Sequence, residues 1–200
     1  MTLSEIDRAR VFMFDFLKSL FWEEPTPEKR ETWLKVLEKI AGQTDFEPLD
    51  EALLDLKEFL RETSPKELQD EYYELFVNPA REKPLVLTAS YIIDGKAIGP
   101  TLAKLRKILN EIGITRTENF KEPEDSLIFL LDLMTTLIEN SSTSNIYPKW
   151  LETIFEDFLL PCAEGAYERL TSEEKAYFYQ KCAKVLKYYL ELEKRFLVEK

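Results

Sequence analysis

Residues 122–138 read EPEDSLIFLLDLMTTLI, an acidic cluster followed by a run in which almost every position is apolar. A helix that is apolar on nearly all sides is expected to lie in the centre of a bundle, because it has no polar face to turn toward water. We predict that this helix begins near Glu122 and that Leu130 and Met134 are fully buried. The run contains Asp132 and is too short to cross a bilayer.

The rest of the chain repeats the three- and four-residue apolar spacing of amphipathic helices, and no strand-type alternation is sustained. Prolines and capping residues mark several helix starts, as at Pro100 and at Thr171, which has Glu174 three residues later and predicts the start of the last helix. Pro161 is predicted to kink or split the helix before it. These signals predict an all-α fold, with about eight or nine helices in a single bundle that forms one domain over residues 1–200.

One segment departs from the helical pattern. From Asn78 to Gly99 the spacing lapses for about twenty residues, which is longer than the usual connection between bundle helices. We therefore predict a long connection between the fourth and fifth helices, with a possible extended segment at Leu85–Leu87 and Tyr91–Ile93. Connections of this length are often functional, although an ordered structural crossover accounts for the pattern nearly as well.

The composition argues against several classes of function. The chain has no histidine, so it lacks the usual general base at neutral pH and the commonest metal ligand. It carries no glycine-rich phosphate-binding motif, and we predict neither a cofactor nor a metal site. The formal net charge of -11 disfavours nucleic acid and anionic lipid as partners, so a charged partner should be cationic.

Two further observations concern location and redox state. The N-terminal residues mix charged and apolar side chains, unlike a signal peptide, so we predict a cytoplasmic protein without membrane insertion. The two cysteines, Cys162 and Cys182, stand among apolar residues at helical spacing. We predict that both are free and buried rather than joined in a disulfide.

The acidic cluster before the apolar run has two interpretations. Glu122, Glu124 and Asp125 could stabilise the start of the helix, because unpaired backbone N–H groups and the helix dipole favour negative charge there. They could instead bind a cationic ligand. Aromatic residues bracket the long connection, so a groove beside it could accept an apolar peptide with a basic end.

Three motifs in this order carry a resemblance to a known family. They are the string YELFVNP at residues 73–79, the pair Ser90-Tyr91 in the long connection, and EPEDS at residues 122–126. In these features the chain resembles the TorD/DmsD (NarJ-like) family of redox enzyme maturation chaperones. The acidic motif of that family typically ends in Asp-His, whereas Asp125 is followed here by Ser126.

The resemblance implies an all-helical cytoplasmic chaperone that binds the twin-arginine signal peptide, or the apoprotein, of a molybdopterin-dependent oxidoreductase until its cofactor is inserted. It implies that the first motif shapes the end of the fourth helix and that the other two contribute to the peptide site. The partner would be the catalytic subunit precursor, and the chaperone could be a monomer or a helix-swapped dimer. The predicted peptide-binding residues are Tyr73, Phe76, Pro79, Ser90, Tyr91, Glu122, Glu124, Asp125 and Ser126.

Two other functions remain open from the residues themselves. The chain could be a helical adaptor whose long connection is only a crossover. It could also be an enzyme that uses carboxylates, in which case a deep cleft and a strongly raised carboxylate pKa are expected. We predict that it is not an enzyme.

Overall fold

The computed structural model describes residues 3–82, 85–117, 120–141 and 146–198. These residues form ten α-helical segments, two π-helical segments and no strand. The π-helical segments are Tyr73–Val77, which continues α4, and Phe155–Leu159, which joins α8 to α9 without a break. The described part of the chain therefore forms nine continuous helices, which confirms the predicted all-α fold. The α-helices are α1 (Glu5–Phe21), α2 (Pro27–Ile40), α3 (Glu47–Glu62), α4 (Pro65–Tyr72), α5 (Ala89–Asp94), α6 (Pro100–Ile112), α7 (Leu127–Asn140), α8 (Ile146–Ile154), α9 (Leu160–Thr171) and α10 (Tyr177–Val198).

The helices group into two compact units. The first unit comprises Met1–Ser19 and Val86–Gly165, and the second comprises Leu20–Leu85 and Ala166–Lys200. The assignment of residues 1–200 to a single domain stays a prediction.

The first unit is built around α7. Leu130 and Met134 are both fully buried, as predicted, and α7 packs against α8 and the π-helical segment that follows it. The prediction that this helix begins near Glu122 is wrong, because Ser126 has an extended backbone and is the N-cap. Its hydroxyl oxygen accepts a hydrogen bond from the Phe129 N–H at 3.3 Å. The acidic cluster therefore precedes the helix rather than forming its first turn.

The second unit is centred on α10, which packs against α3 and α4. The rings of Trp33 and Phe178 stack with centroids 5.5 Å apart. The prediction that the last helix starts at Thr171 is wrong, since α9 runs through Thr171 and α10 begins at Tyr177. A carboxylate from α4 caps α10, as described below, so the local capping pattern did not mark the helix start.

The segment from Asn78 to Gly99 is not the continuous irregular connection that its sequence predicts. It contains α5, a helix of six residues whose N-cap is Thr88. Residues 91–93 are helical, whereas Thr88 is extended. Leu87 and Thr88 pair with Ser126 and Leu127 at the start of α7. A helix this short has too few turns to show an apolar period in its sequence.

Pro161 neither splits nor ends the helix that contains it. It is the second residue of α9, directly after the π-helical segment. The Leu160 N–H donates to the Phe155 carbonyl oxygen, five residues back. The wider turn lets the helix continue past a residue that has no N–H to donate.

The predicted state of the cysteines is confirmed, because Cys162 and Cys182 are both free and buried. No helix among the described residues is long and apolar enough to span a membrane.

Candidate functional site

The extended residues before α5 pair with the residues that precede α7. The Ala89 N–H donates to the Asp125 carbonyl oxygen at 2.8 Å, and the Leu127 N–H donates to the Leu87 carbonyl oxygen at 2.9 Å. Thr88 and Ser126 form an antiparallel bridge between these two bonds. This short ladder joins the predicted Ser90-Tyr91 motif to the acidic motif.

The side chain of Asp125 strengthens the same junction. It is completely buried, and its Oδ2 accepts a hydrogen bond from the Ser90 N–H at 2.7 Å. This bond places a carboxylate on the first turn of α5, where backbone N–H groups have no partner within the helix. The second oxygen, Oδ1, is also buried and has no hydrogen-bond partner among the described residues. Asp125 therefore fixes α5 while keeping one acceptor unused.

Hydrogen bonds at its C-terminal end and close packing against two glycines also hold α5 in place. The Asp94 carboxylate accepts hydrogen bonds from the Thr101 N–H at 2.9 Å and from the Thr101 hydroxyl at 3.0 Å. A β-carbon at Gly99 would collide with the Asp94 side chain, and one at Gly165 would collide with the side chain of Ile92. The two glycines thus allow α5 to lie directly against its neighbours.

Two arginines bind the acidic motif. The Arg106 guanidinium donates from Nε and Nη2 to Glu124 Oε2, at 3.2 and 2.8 Å. The Arg116 guanidinium donates to the backbone carbonyl oxygen of Glu122 at 2.6 Å. Burial opposes the ionisation of Glu124, but the hydrogen bond and charge of Arg106 hold the pKa of that carboxyl below its usual value. The acidic motif therefore already binds guanidinium groups of its own chain.

The structure brings four of the predicted peptide-binding residues into this network. Ser90, Asp125 and Ser126 are buried and hydrogen-bonded as described, and Glu124 forms the ion pair. Tyr91 is half-buried on α5, and the side chain of Glu122 is exposed.

The other three predicted residues belong to the second unit. Tyr73 and Phe76 lie in the first π-helical segment, and Pro79 follows it. Tyr73 and Pro79 are exposed, whereas the Phe76 ring packs edge-on against Tyr179 with centroids 4.9 Å apart. Whether these nine residues bind a peptide stays a prediction.

A further carboxylate, Glu71, has a role that the sequence did not reveal. Its Oε1 accepts hydrogen bonds from the Phe178 N–H at 2.9 Å and the Tyr179 N–H at 3.0 Å. Burial raises the pKa of Glu71 to about 6, although the two backbone N–H donors act in the opposite direction. A strongly raised carboxylate pKa is one of the features expected of an enzyme. The Glu71 carboxylate, however, caps α10, and its burial follows from its contact with the backbone of that helix.

Thr88, Arg106 and Arg116 also belong to the network but are not among the predicted site residues. Thr88 carried a usable signal, because a threonine before a short helix is a common N-cap, and its hydroxyl accepts from the Tyr91 N–H at 3.4 Å. The two arginines carried none, since the residues they contact are set by the tertiary fold. Within the described residues, no group of three or more cysteine and carboxylate side chains could hold a metal ion.

Comparison with known proteins identifies the family. The family model described as nitrate reductase delta subunit matches residues 43–164, which is more than half of the chain. The chain belongs to this family. The Ser90-Tyr91 motif, the acidic motif and the network that joins these two are therefore features of a member of the nitrate reductase delta subunit family.

The chain is similar in sequence to proteins named as chaperones. The chain is 24% identical over 210 residues to the chaperone protein TorD of Vibrio cholerae serotype O1 strain M66-2, with 98% of the chain and 96% of the relative covered. The same values hold for TorD of the Vibrio cholerae O1 strain ATCC 39541. These matches confirm the resemblance to the TorD/DmsD (NarJ-like) family that the three motifs indicated.

The fold is shared with a solved structure. A crystal structure of a proposed redox enzyme maturation protein from Archaeoglobus fulgidus aligns with a TM-score of 0.53 and 20% identity, and covers 96% of each chain. At this identity the likeness shows the fold alone. Together with family membership, the named relatives place the chain among redox enzyme maturation chaperones rather than enzymes.

Proposed function

We propose that the chain is a cytoplasmic chaperone that binds the twin-arginine signal peptide, or the apoprotein, of a molybdopterin-dependent oxidoreductase. It would assist cofactor insertion before the enzyme is exported or assembled. The observation that carries the proposal is family membership across residues 43–164, a range that includes every predicted peptide-binding residue.

The chemistry of the acidic motif supports an arginine-containing ligand. Glu124 accepts two N–H groups from one guanidinium, and this fork is the feature that distinguishes arginine from lysine. Glu122 offers a second, exposed carboxylate beside it in the sequence. Asp125 is buried, so its role in this proposal is to fix α5 and to contribute negative charge.

Apolar surface in the same unit supports binding of the hydrophobic stretch that follows the arginines in a signal peptide. Ile93, on α5, is 46% exposed, and Ile98, in the turn after α5, is 79% exposed. Side chains of this kind can bury apolar groups of a peptide. The high net negative charge of the chain also favours a cationic ligand.

Calorimetric titration with a synthetic twin-arginine signal peptide from a molybdoenzyme precursor of the same organism tests the proposal. We expect binding to weaken when both arginines of the peptide are replaced by lysine, because lysine lacks the rigid planar set of N–H donors with which a guanidinium places two hydrogen bonds on one carboxylate. We expect Glu122→Gln, Glu124→Gln and Asp125→Asn each to weaken binding of the arginine peptide.

Glu139→Gln is the matched control. It removes the same charge from an exposed position of α7, twelve residues beyond Leu127 and therefore about 18 Å along the helix. If this variant weakens binding as much as Glu124→Gln, the effect is one of net charge and not of the acidic motif. Equal affinity for the arginine and lysine peptides would refute recognition of the guanidinium groups.

A further inference from the structure

The acidic motif is occupied in the free chain by an internal guanidinium. Arg106 extends from α6 to Glu124, and the two side chains are 50% and 15% exposed respectively. The arginine side chain is thus half in solvent, whereas the carboxylate is mostly enclosed. An exposed ion pair of this kind contributes little net stability, because water solvates the arginine well when the pair opens. The enclosed carboxylate depends more strongly on having a cationic partner.

A second observation is that the acidic motif carries more negative charge than Arg106 neutralises. Asp125 is completely buried, and its Oδ1 has no hydrogen-bond partner among the described residues. The charge of Asp125 also acts on Arg106 and adds to the effect of Glu124 in raising the arginine pKa. The exposed Glu122 adds further negative charge nearby in the chain. Arg106 is hydrogen-bonded to one of the three carboxylates in this short motif, so the motif keeps negative charge that favours binding of another guanidinium.

We infer that Arg106 is an internal competitor for the arginine site. In the free chaperone its guanidinium occupies Glu124, and an arginine of the bound peptide displaces it. The inference rests on the proposed function, since it concerns regulation of the same site. Pairing with Arg106 keeps the enclosed Glu124 carboxylate neutralised in the absence of cargo. Competition by Arg106 also limits the affinity for cargo, which must later be released.

The test compares Arg106→Gln with Lys107→Gln in the same calorimetric titration. Lys107 is the next residue of α6 and is also exposed, so the two variants change the net charge equally. Removing the competitor should tighten binding of the twin-arginine peptide about two- to fivefold, the range set by an exposed ion pair. Lys107→Gln should change the affinity by less than about half of that gain, since charge at longer range is screened.

Two further variants connect the gain to the Arg106–Glu124 pair. In the double variant Arg106→Gln/Glu124→Gln the gain should disappear, because the freed carboxylate that produced it is gone. Arg106→Lys keeps the charge but donates as a point charge, so it should compete less well and give a smaller gain than Arg106→Gln. If the circular dichroism spectrum of Arg106→Gln differs from that of wild type, the affinity of Arg106→Lys is compared with wild type instead.

The outcomes separate the inference from the proposed function. Wild-type protein that prefers arginine over lysine peptide supports the proposed function whatever Arg106 does. With that preference present, an unchanged or weaker affinity of Arg106→Gln overturns the inference alone. Equal tightening by Lys107→Gln overturns it as well, because the effect is then one of net charge. If no variant binds the arginine peptide, both the proposed function and the inference are wrong.

Discussion

The two compact units each tie the start of a helix to a carboxylate from a distant part of the chain, and the two junctions differ in how completely the carboxylate is used. In the second unit both oxygens of Glu71 lie within hydrogen-bond distance of backbone N–H groups at the start of α10. In the first unit Asp125 accepts one N–H, from Ser90, and its second oxygen has no partner among the described residues.

A carboxylate with both oxygens hydrogen-bonded indicates a permanent structural contact, whereas one with an unpartnered oxygen indicates a contact that can change. α10 is a helix of 22 residues at the centre of its unit, and a saturated carboxylate suits a contact that need never open. α5 has only six residues, and the carboxylate that holds it follows Glu124 in the chain, whose partner Arg106 is half exposed. The first unit is therefore where we expect a ligand to alter the hydrogen-bonding pattern.

The largest effect is expected from removing the saturated carboxylate. Glu71→Ala leaves the N–H groups of Phe178 and Tyr179 buried without an acceptor, so it should lower the free energy of unfolding by about 3 kcal/mol. Denaturant melts measure this value. The control is Glu58→Ala on α3, an exposed position where the change should stay within about 0.5 kcal/mol. Similar losses in both variants would show that Glu71 is not an anchor.

The same residue should give the protein a pH-dependent stability. The pKa of Glu71 is raised by burial from 4.5 to about 6 in the folded chain, so the folded state holds this proton more tightly than the unfolded state. Its stabilising contribution is complete below the unfolded pKa and is lost as the pH rises through the folded pKa. The loss should amount to about 2 kcal/mol between about pH 4 and about pH 7.

Glu71→Gln isolates this contribution, because glutamine does not titrate. The free energy of unfolding is measured for wild type and variant across that pH range. As the pH rises from about 4 to about 7, the value for wild type should fall relative to that of the variant by about 2 kcal/mol. Parallel curves for the two proteins would contradict the raised pKa. Glu67→Gln on α4 serves as a comparison of opposite sign, since a hydrogen bond from Ser64 lowers the pKa of Glu67.

A smaller effect is expected at the incompletely used carboxylate. Asp125→Ala removes the acceptor of one buried N–H and should cost about 1.5 kcal/mol. Asp125→Asn keeps an acceptor for Ser90 and replaces the unpartnered oxygen, so it should cost less than about 0.5 kcal/mol. Equal losses in the two variants would mean that the charge, rather than the hydrogen bond, holds α5.

The smallest effect on stability is expected from removing the Tyr179 hydroxyl. The Tyr179 hydroxyl is buried without a hydrogen-bond partner among the described residues, so Tyr179→Phe should leave stability unchanged or raise it by up to about 1 kcal/mol. Tyr189→Phe, also on α10, removes a hydroxyl that donates to Glu193 at 3.4 Å and should be destabilising. A clear loss in Tyr179→Phe would show that this hydroxyl is satisfied in solution.

Local patterns in the sequence were sufficient for the fold class and the family. Hydrophobic burial follows the apolar spacing of each helix, so the all-α fold and the burial of Leu130 and Met134 were predicted correctly. The motifs at residues 73–79 and 122–126 led to the family that the family model then identified. These features depend on residues that are close together in the chain.

The start of α10 was predicted wrongly because its cap comes from a distant part of the chain. The local pattern at Thr171 indicated a helix start, but the start of α10 is six residues later, where Glu71 caps it across about a hundred residues of sequence. The Ser90 N–H at the start of α5 likewise donates to Asp125, 35 residues further along the chain. Neither partner can be recognised before the helices are packed.

The sequence alone therefore determined that the fold is all-α, that Leu130 and Met134 are buried and to which family the chain belongs, because apolar periodicity and short motifs are local. Only the tertiary structure decided that Arg106 pairs with Glu124 and that Asp125 keeps a free acceptor. The physical reason is that hydrogen bonds and ion pairs act over a few ångströms. Their partners are chosen by how the helices pack, and many arrangements of charge are compatible with one pattern of apolar residues.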